Sequence, residues 1–472
     1  MKAVLPIGIL GFGLLVASSL FGPAATVRTA GGCAGAPGVT DTLNINQAAG
    51  VAVDARGVLS TKVFADPTGQ LGLERRRAAK AALNPKVAAT SKLRKISLNR
   101  LEEAVKGRLA LGQRPTDEML NLAGLTRIEY VFCMPETKDI VIAGPAEGWA
   151  PDLSGRIRGI QSGRPIVELQ DLIVALRAFP PNGKPTPLIG CSIDPTSEGL
   201  QREHDFARSN KPSSPAEIDA FATGLRNALG LEVVTINGVP DTTHFAQVLV
   251  EADYRMKLIG IGLEQPLVKI KNYVDRANSN EISKNGLARW FFVPNYECVR
   301  VADDEMAMQL VGEGVKLVGA DEVVLANGQR QAATRSDMAS KAWCEQFTKS
   351  YGKIAAVTPI YAQLRNLVDL SVAAAFIQKE DYFSKTGWQM DLFGNERAMP
   401  VQTAVAPRQV ETAINVVWKG SHVSTPIGGG VTISPREALS KSNLLHDKDG
   451  KVGEARKETD LKGLVKGEWW WD

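Results

Sequence analysis

From Thr358, an N-cap followed by Pro359 at the first helical position, the sequence runs to Ile377 with apolar residues nearly all round a helical wheel. Such a helix is a buried one, so the fold must cover it on most sides. Arg365 and Asp369 interrupt it, four residues apart, and are expected to pair with each other. The chain is long enough for such a core: 472 residues correspond to about three domains' worth of material. With 44% hydrophobic and 22% charged residues, 44 Gly and 25 Pro, collagen-like, coiled-coil and wholly disordered classes are excluded.

Upstream, strand and helix patterns alternate. Val51 and Val58 flank a first hairpin, and Arg127 to Met134 with Asp139 to Ala143 form a second around Pro135-Glu-Thr-Lys138. Helical spacing follows over Val167 to Phe179, a strand over Pro187 to Ile193 and a helix over Pro195 to Arg208. Ser214-Pro-Ala-Glu217 is a capping box opening a helix to about Leu229. Leu231 to Ile236 then reads as a strand, and Asp241 as the cap of a helix ending near Met256. Beyond Asn280 the runs at Trp290, Glu297 and Val315 are strands again. The expected class is α+β: mixed sheets with packed helices, preceded by a basic helical segment. The expected divisions are a signal at 1–24, a flexible leader with the basic segment at 25–115, an α/β-type domain at 116–275, an α+β domain at 285–435 and a charged tail at 436–472.

The net charge of +4 is too small to argue for nucleic acid. Its distribution is uneven. Residues 70–108 hold eleven basic and three acidic side chains, with Leu98, Leu101, Val105 and Leu109 at helical spacing. Consecutive Arg75, Arg76 and Arg77 cannot share one narrow stripe, so some of their charge must face water or an acidic partner. The tail balances eight basic against eight acidic residues and reads as solvated and partly disordered, although it finishes in Trp469, Trp470 and Trp471. Those tryptophans suit docking to a partner or a membrane interface, or are a sticky end without a role.

Met1-Lys2, the uncharged apolar run Ala3 to Gly22 and small residues at Gly22, Ala24 and Ala25 follow the order of a secretory signal. Cleavage is expected near Ala24, the alternative being an uncleaved anchor. No other stretch reaches about 18 consecutive apolar residues, so no further membrane span is expected. The cysteines at 33, 133, 191, 298 and 344 are odd in number and irregular in spacing, which does not describe a disulfide framework. Cys133 and Cys191 could pair if their strands are neighbours, and otherwise are buried small hydrophobes.

Several strings resemble a family of secreted planctomycetal proteins known only as a domain of unknown function. They are Gly124-Leu-Thr-Arg-Ile-Glu-Tyr-Val-Phe, Asp139 to Trp149, Cys191-Ser-Ile-Asp-Pro, Ala252 to Glu264, Met390-Asp-Leu-Phe-Gly and Thr425 to Val431, together spanning about residues 120–435. The resemblance implies export and a shared fold, and lends no reaction, cofactor or catalytic residue.

Chemistry by motif is scarce. The four histidines, 204, 244, 422 and 446, form no HxxxH or HExxH, so no metal is expected, and no phosphate-binding glycine loop precedes a lysine, so no cofactor is expected either. Ser350-Tyr-Gly-Lys353 and Lys385-Thr-Gly387 resemble elements of penicillin-interacting enzymes, but only 35 residues separate them and no SxN element intervenes. Cys191, His204 and Asp194 are the candidates for a thiol site, since a cysteine near a strand end followed by a helix can sit at a sheet edge. Gly428, Gly429 and Gly430, with Trp418 and His422 upstream, are candidates for a ligand-binding loop or a structural turn. Arg75, Arg76 and Arg77 are candidates for binding an anionic partner. Together these point to an exported, non-catalytic binding or structural protein of the cell envelope, contacting other envelope proteins or anionic envelope polymers. The alternative is an envelope hydrolase whose site no motif reveals.

Overall fold

A computed structural model describes residues 48–277, 288–320, 322–324, 330–332, 338–418, 422–461, 463–465 and 467–472. The expected signal, the leader up to residue 47 and Cys33 lie outside the described residues. The first hairpin is β1 (Ala48–Val53) and β2 (Val58–Phe64), turned by Asp54, whose carboxylate accepts from the N–H groups of Arg56 and Val58 at 2.8 and 2.9 Å. The basic segment is not uniformly helical. After α1 (Gln70–Ala82) and α2 (Pro85–Ala88) comes a strand, β3 (Ser91–Ser97), before α3 (Leu98–Ala110). Helix α1 buries no residue, as a solvated basic helix should, whereas Arg94 of β3 is wholly buried. On α3, Glu102 is buried and accepts from the N–H groups of Leu392 and Phe393 at 2.8 and 2.7 Å, fixing the Met390-Asp-Leu-Phe-Gly turn.

Next come α4 (Asp117–Leu120), the hairpin β4 (Tyr130–Met134) and β5 (Asp139–Ala146), and a short hairpin of β6 (Trp149–Pro151) and β7 (Ile157–Gly159). The expected alternation follows: α5 (Leu169–Ala178), β8 (Ile189–Asp194), α6 (Ser197–Ser209), α7 (Ile218–Leu229), β9 (Glu232–Asn237), α8 (His244–Gly260) and α9 (Tyr273–Arg276). The cap of α8 is Thr243 rather than Asp241; its Oγ1 accepts from the Ala246 N–H at 3.2 Å, and Asp241 is exposed. Strands β10 (Ala288–Pro294), β11 (Val299–Val301), β12 (Ala307–Leu310), β13 (Val315–Gly319), β14 (Glu322–Val324) and β15 (Arg330–Ala332) precede α10 (Met338–Val357), α11 (Pro359–Lys379) and α12 (Tyr382–Thr386). The remainder is β16 (Gln409–Val410), β17 (Ile414–Trp418), β18 (His422–Ile433), α13 (Pro435–Ala438), β19 (Leu445–His446), α14 (Lys451–Lys457) and β20 (Trp470–Trp471).

Two mixed sheets organise these elements into an α+β fold. The larger has the order β1-β2-β16-β9-β8-β18-β10-β13, with β17 paired to β18, and the smaller runs β19-β11-β12-β4-β5-β3-β20. Each sheet draws strands from both sides of the 275–285 boundary, so the expected domains at 116–275 and 285–435 do not separate two sheets. Residues Leu43–Asp472 form one compact unit. Parallel and antiparallel pairing meet at β18, which is parallel to β10 and antiparallel to β8. At the β13 edge, Leu317 donates its N–H to Thr348 Oγ1 of α10 at 2.9 Å, which satisfies a backbone group that would otherwise offer itself for pairing.

Helix α11 is the centre of the core: Ile360 through Ile377 are all buried, against α5, α8 and α10. It is long and apolar enough to cross a membrane by length and composition, and its apolar window is wholly buried inside the fold. Arg365 and Asp369 do not pair with each other. Arg365 reaches Glu313 and Asp369 reaches Arg127, each at 2.8 Å, because charged side chains from other elements meet each of them off the helix. The tail also departs from expectation. Trp470 and Trp471 pair with Ile96 and Lys95 of β3, and Trp469 is buried, so the last residues complete the smaller sheet. Cys133, Cys191 and Cys298 are buried thiols outside any disulfide, so Cys133 and Cys191 do not pair, and Cys344 is buried on α10.

Candidate functional site

A polar cleft of about 400 Å³ lies between α1 and the β6–β7 hairpin with its following turn. Its floor follows from two pieces of turn chemistry. Asp66 Oδ2 accepts from the Gly72 N–H at 2.9 Å, seating the start of α1, while Asp152 Oδ1 accepts from the N–H groups of Ser154 and Arg156 at 2.8 and 3.1 Å, closing the hairpin. Buried Glu147 accepts from the N–H groups of Gln161 and Ser162 at 2.7 and 3.1 Å and from the Ser162 hydroxyl, which fixes the loop 159–163. A side chain at Gly159 would run into Glu147, so this close approach requires glycine.

Two guanidinium groups line the cleft, from Arg76 and Arg158. Arg158 donates through Nε to the Gly163 carbonyl at 2.7 Å and lies 3.7 Å from Asp152. Burial, together with the like charges of Arg156 and Arg76, holds Arg158 below its ordinary pKa despite Asp152. Arg76 is exposed and makes no hydrogen bond or ion pair with any of the described residues. Its neighbour Arg75 donates to the Asp152 carbonyl at 3.0 Å, and Arg77 is exposed on α1. The three arginines thus diverge, and Arg76 alone of them lines the cleft.

Arg156 points the other way. It meets buried Glu251 of α8 at 2.6 Å and Gln363 of α11 at 2.5 Å, and Glu251 and Glu264 both flank Arg255. On another face of α8, Lys257 and Asp253 form a wholly buried pair at 2.8 Å, and Lys257 also donates to the Ile193 carbonyl at 2.9 Å. Burial, only partly offset by Lys257, lifts Asp253 to about 6 and Glu232 to about 8. These charged groups line no described cleft and cross-link α8 to its neighbours.

At the start of α8, His244 Nδ1 lies 2.9 Å from Asp171 of α5. Burial of the ring opposes its charge, but Asp171 and Glu168 outweigh that and raise the His244 pKa to about 9. The folded value lies above the unfolded value of about 6.5, so the pair's stabilisation is complete below about pH 6.5 and is lost as pH rises through 9. Asp171→Asn is expected to cost about 2 kcal/mol near pH 6 and to flatten the loss between pH 6.5 and 9. Urea melts across that range check it; a variant keeping the wild-type slope would show that another group causes the dependence.

The thiol candidates are not assembled. Cys191 is buried on β8, and burial, with Asp253 nearby, pushes its thiol well above the ordinary range. His204 is exposed on α6, and Asp194 pairs with Arg289 at 3.0 Å. Gly428, Gly429 and Gly430 are neither a loop nor a turn but lie inside β18, all three paired with β10 and Gly429 and Gly430 also with β8. Trp418 ends β17 in register with His422, and it is partly exposed; the His422 side chain and residues 419–421 lie outside the described residues. Lys385-Thr-Gly387 closes the helical turn α12 and is not on a strand. Among the described residues no three His, Cys, Asp or Glu side chains are grouped to hold a metal.

Sequence reasoning named Arg76 but missed Arg158. The available signal was Gly155-Arg-Ile-Arg-Gly159, a short strand between glycines that displays basic residues two apart.

A family model described as a protein of unknown function, DUF1598, matches residues 191–273. No curated protein matches the chain, and no solved structure does. The matched stretch begins at Cys191 in β8 and runs through α8 to Tyr273, so the chain carries a DUF1598 domain of unknown function there, including the helix that holds Glu251, Asp253, Arg255 and Lys257.

Proposed function

We propose that this is an exported component of the cell envelope that works by binding, holding an anionic envelope polymer or an acidic envelope protein against the α1 face. The observation that carries this reading is the cleft's lining: its carboxylates and the Ser162 hydroxyl are committed to fixing turns, while the Arg76 guanidinium is not engaged by any of the described residues. Two carboxylates balance the two guanidiniums of the lining, so what that arrangement offers a ligand is the unengaged Arg76 on the basic α1 face, and no general base. The cluster favouring hydrolysis is His244 with Asp171 and Glu168, but no described hydroxyl or thiol is hydrogen-bonded to His244, so the usual activated nucleophile is missing. The N-terminal pattern of charge, apolar run and small residues supports export.

The test replaces Arg75, Arg76 and Arg77 by Gln and measures retention on isolated envelopes across a salt series. Retention is expected to fall and its salt dependence to flatten, because exposed charge contacts are screened. Unchanged retention and slope would overturn the reading.

A further inference from the structure

Strand β9 inverts the usual alternation. Val233, and Leu231 just before the strand, are 40% and 39% exposed, while Glu232 between them is 2% exposed. A carboxyl group therefore takes a core position and two aliphatic side chains take the solvent face, the reverse of what burial favours. The charged groups around Glu232 come from neighbouring elements. Lys257 and Asp253 of α8 pair with each other at 2.8 Å, and Asp194 at the end of β8 pairs with Arg289 of β10 at 3.0 Å. Each cation is thus matched by a carboxylate, and Glu232 forms no ion pair with any of the described residues. Its donor among them is the Ala413 N–H, at 3.3 Å. Asp253 Oδ1 is buried without a hydrogen-bond partner, so the cluster has no spare donor to offer. The other titratable groups there bring no positive charge: Cys191 of β8 lies against Asp253, and Tyr254 of α8 lies against Glu232, Glu411 and Glu264.

Glu232 also sits at a narrow seam. In the larger sheet β1 and β2 reach β9 through the two residues of β16, and β2 leads into α1. The seam consists of the pairs Gln409–Val233 and Val410–Glu232, with the Val234 N–H donating to the Arg408 carbonyl at 2.9 Å. The Ala413 N–H that meets Glu232 belongs to the same segment as β16. Ionised in this place, Glu232 is a buried charge without a counter-ion, which is costly; protonated, it keeps its bond to Ala413 and leaves no charge to balance. We propose that Glu232 is a proton latch: it holds its proton while the β9–β16 seam is closed and gives it to solvent when the seam opens and water reaches the carboxyl. Burial outweighs the pull of Lys257 and the Ala413 N–H and, with Asp253 and Asp194 adding to the rise, lifts the closed-seam pKa of Glu232 from its ordinary 4.5 to about 8. Because the closed value is the higher one, the latch's contribution to closure is complete below about pH 4.5 and is lost as pH rises through 8.

The test is amide hydrogen exchange of the full chain from about pH 6, where Asp253 is already titrated, to about pH 8, corrected for the intrinsic rate of each amide. Protection at Val234 and Ala413 is expected to fall about tenfold per pH unit in wild type. In Glu232→Gln, which resembles the protonated acid and cannot ionise, it should not depend on pH. Asp171→Asn, which removes the His244 response of the same pH range, should leave the fall intact. Both seam amides should exchange faster than those of β18 between β8 and β10, which marks opening short of global unfolding. Infrared spectra in D2O add a readout independent of stability: the carbonyl band of a protonated carboxyl is expected in wild type at neutral pH and should diminish in Glu232→Gln. Protection in wild type that does not change with pH, seam amides exchanging only as slowly as those of β18, or no protonated-carboxyl band each overturns the proposal, and these three need no variant to fold. The same fall in Glu232→Gln, or a fall abolished by Asp171→Asn, overturns it as well.

Discussion

Arg94→Met is expected to destabilise the protein by about 3–5 kcal/mol, one of the largest effects of any single substitution at a charged position. Arg94 is wholly buried in β3. It grips Asp472 through Nε and Nη2 at 2.8 and 3.1 Å and donates to the carbonyls of Val87 and Ala123 at 3.1 and 2.7 Å. It also lies under the Trp470 ring, 4.6 Å from its centre, and Trp470 Nε1 donates to Glu118. Methionine fills much of the volume but leaves buried carbonyls without donors and releases the anchor of β20. The denaturation midpoint should fall, and tryptophan emission should shift to the red as Trp470 and Trp471 become wetted before global unfolding. Burial works against the Asp472 charge, but Arg94 and Lys95 hold its pKa below the ordinary value, so this clasp weakens as pH falls through the acid range. A midpoint unchanged from wild type would show that the tail adds no stability.

The second large effect is expected at Gly429. Its φ is +140°, which side-chain-bearing residues seldom adopt, and a Cβ there would lie 1.9 Å from the Trp290 carbonyl oxygen in the neighbouring strand. Gly429→Ala therefore has to push β10 away from β18 in the middle of the larger sheet, at a cost of about 3 kcal/mol or more. Gly107→Ala is the contrasting case: it is an exposed position inside α3 with nothing within 4 Å of the added carbon, and it should stabilise by about 0.5–1 kcal/mol. Urea melts of the two variants should move in opposite directions. A neutral Gly429→Ala would mean that β18 and β10 are not held at this spacing.

These two positions also show where sequence reasoning reached its limit. The hairpins, the helix ending at Leu229 and the buried α11 were legible because their determinants are local: alternation, turn residues and an apolar wheel lie within a few residues of one another. The Ser214 capping box was not borne out: Ser214 makes no cap hydrogen bond, and Glu217 accepts from the Ser213 N–H at 2.8 Å instead. The strand β3 was not legible, since Ser91-Lys-Leu-Arg-Lys-Ile-Ser97 sits among basic residues and its alternation is hidden by charge. What lets Arg94 be buried is a carboxylate 378 positions away, and no local pattern reports such a partner. The three glycines at 428–430 read as a loop because glycine is uncommon in strands. Gly429 and Gly430 are required there by the close approach of the Trp290 and Cys191 carbonyls, and Gly428 lies against the side chains of Asp194 and Arg289, a property of three strands brought together from distant parts of the chain. The cleft was half legible. The arginine triplet marked α1 as a charged surface, but which arginine turns inward depends on the β6–β7 hairpin beneath it.

The most direct test of binding through the cleft compares Arg76→Gln with Lys106→Gln for retention on isolated envelopes at one fixed, moderate ionic strength. Both variants remove one positive charge from an exposed helix position, so they have the same net charge, and only Arg76 lines the cleft. Losing a charge-assisted contact should weaken retention of Arg76→Gln by about tenfold, while Lys106→Gln stays close to wild type because its exposed pairing with Glu103 contributes little. Equal retention of the two variants would contradict the account and leave α1 as no more than a solvated basic helix.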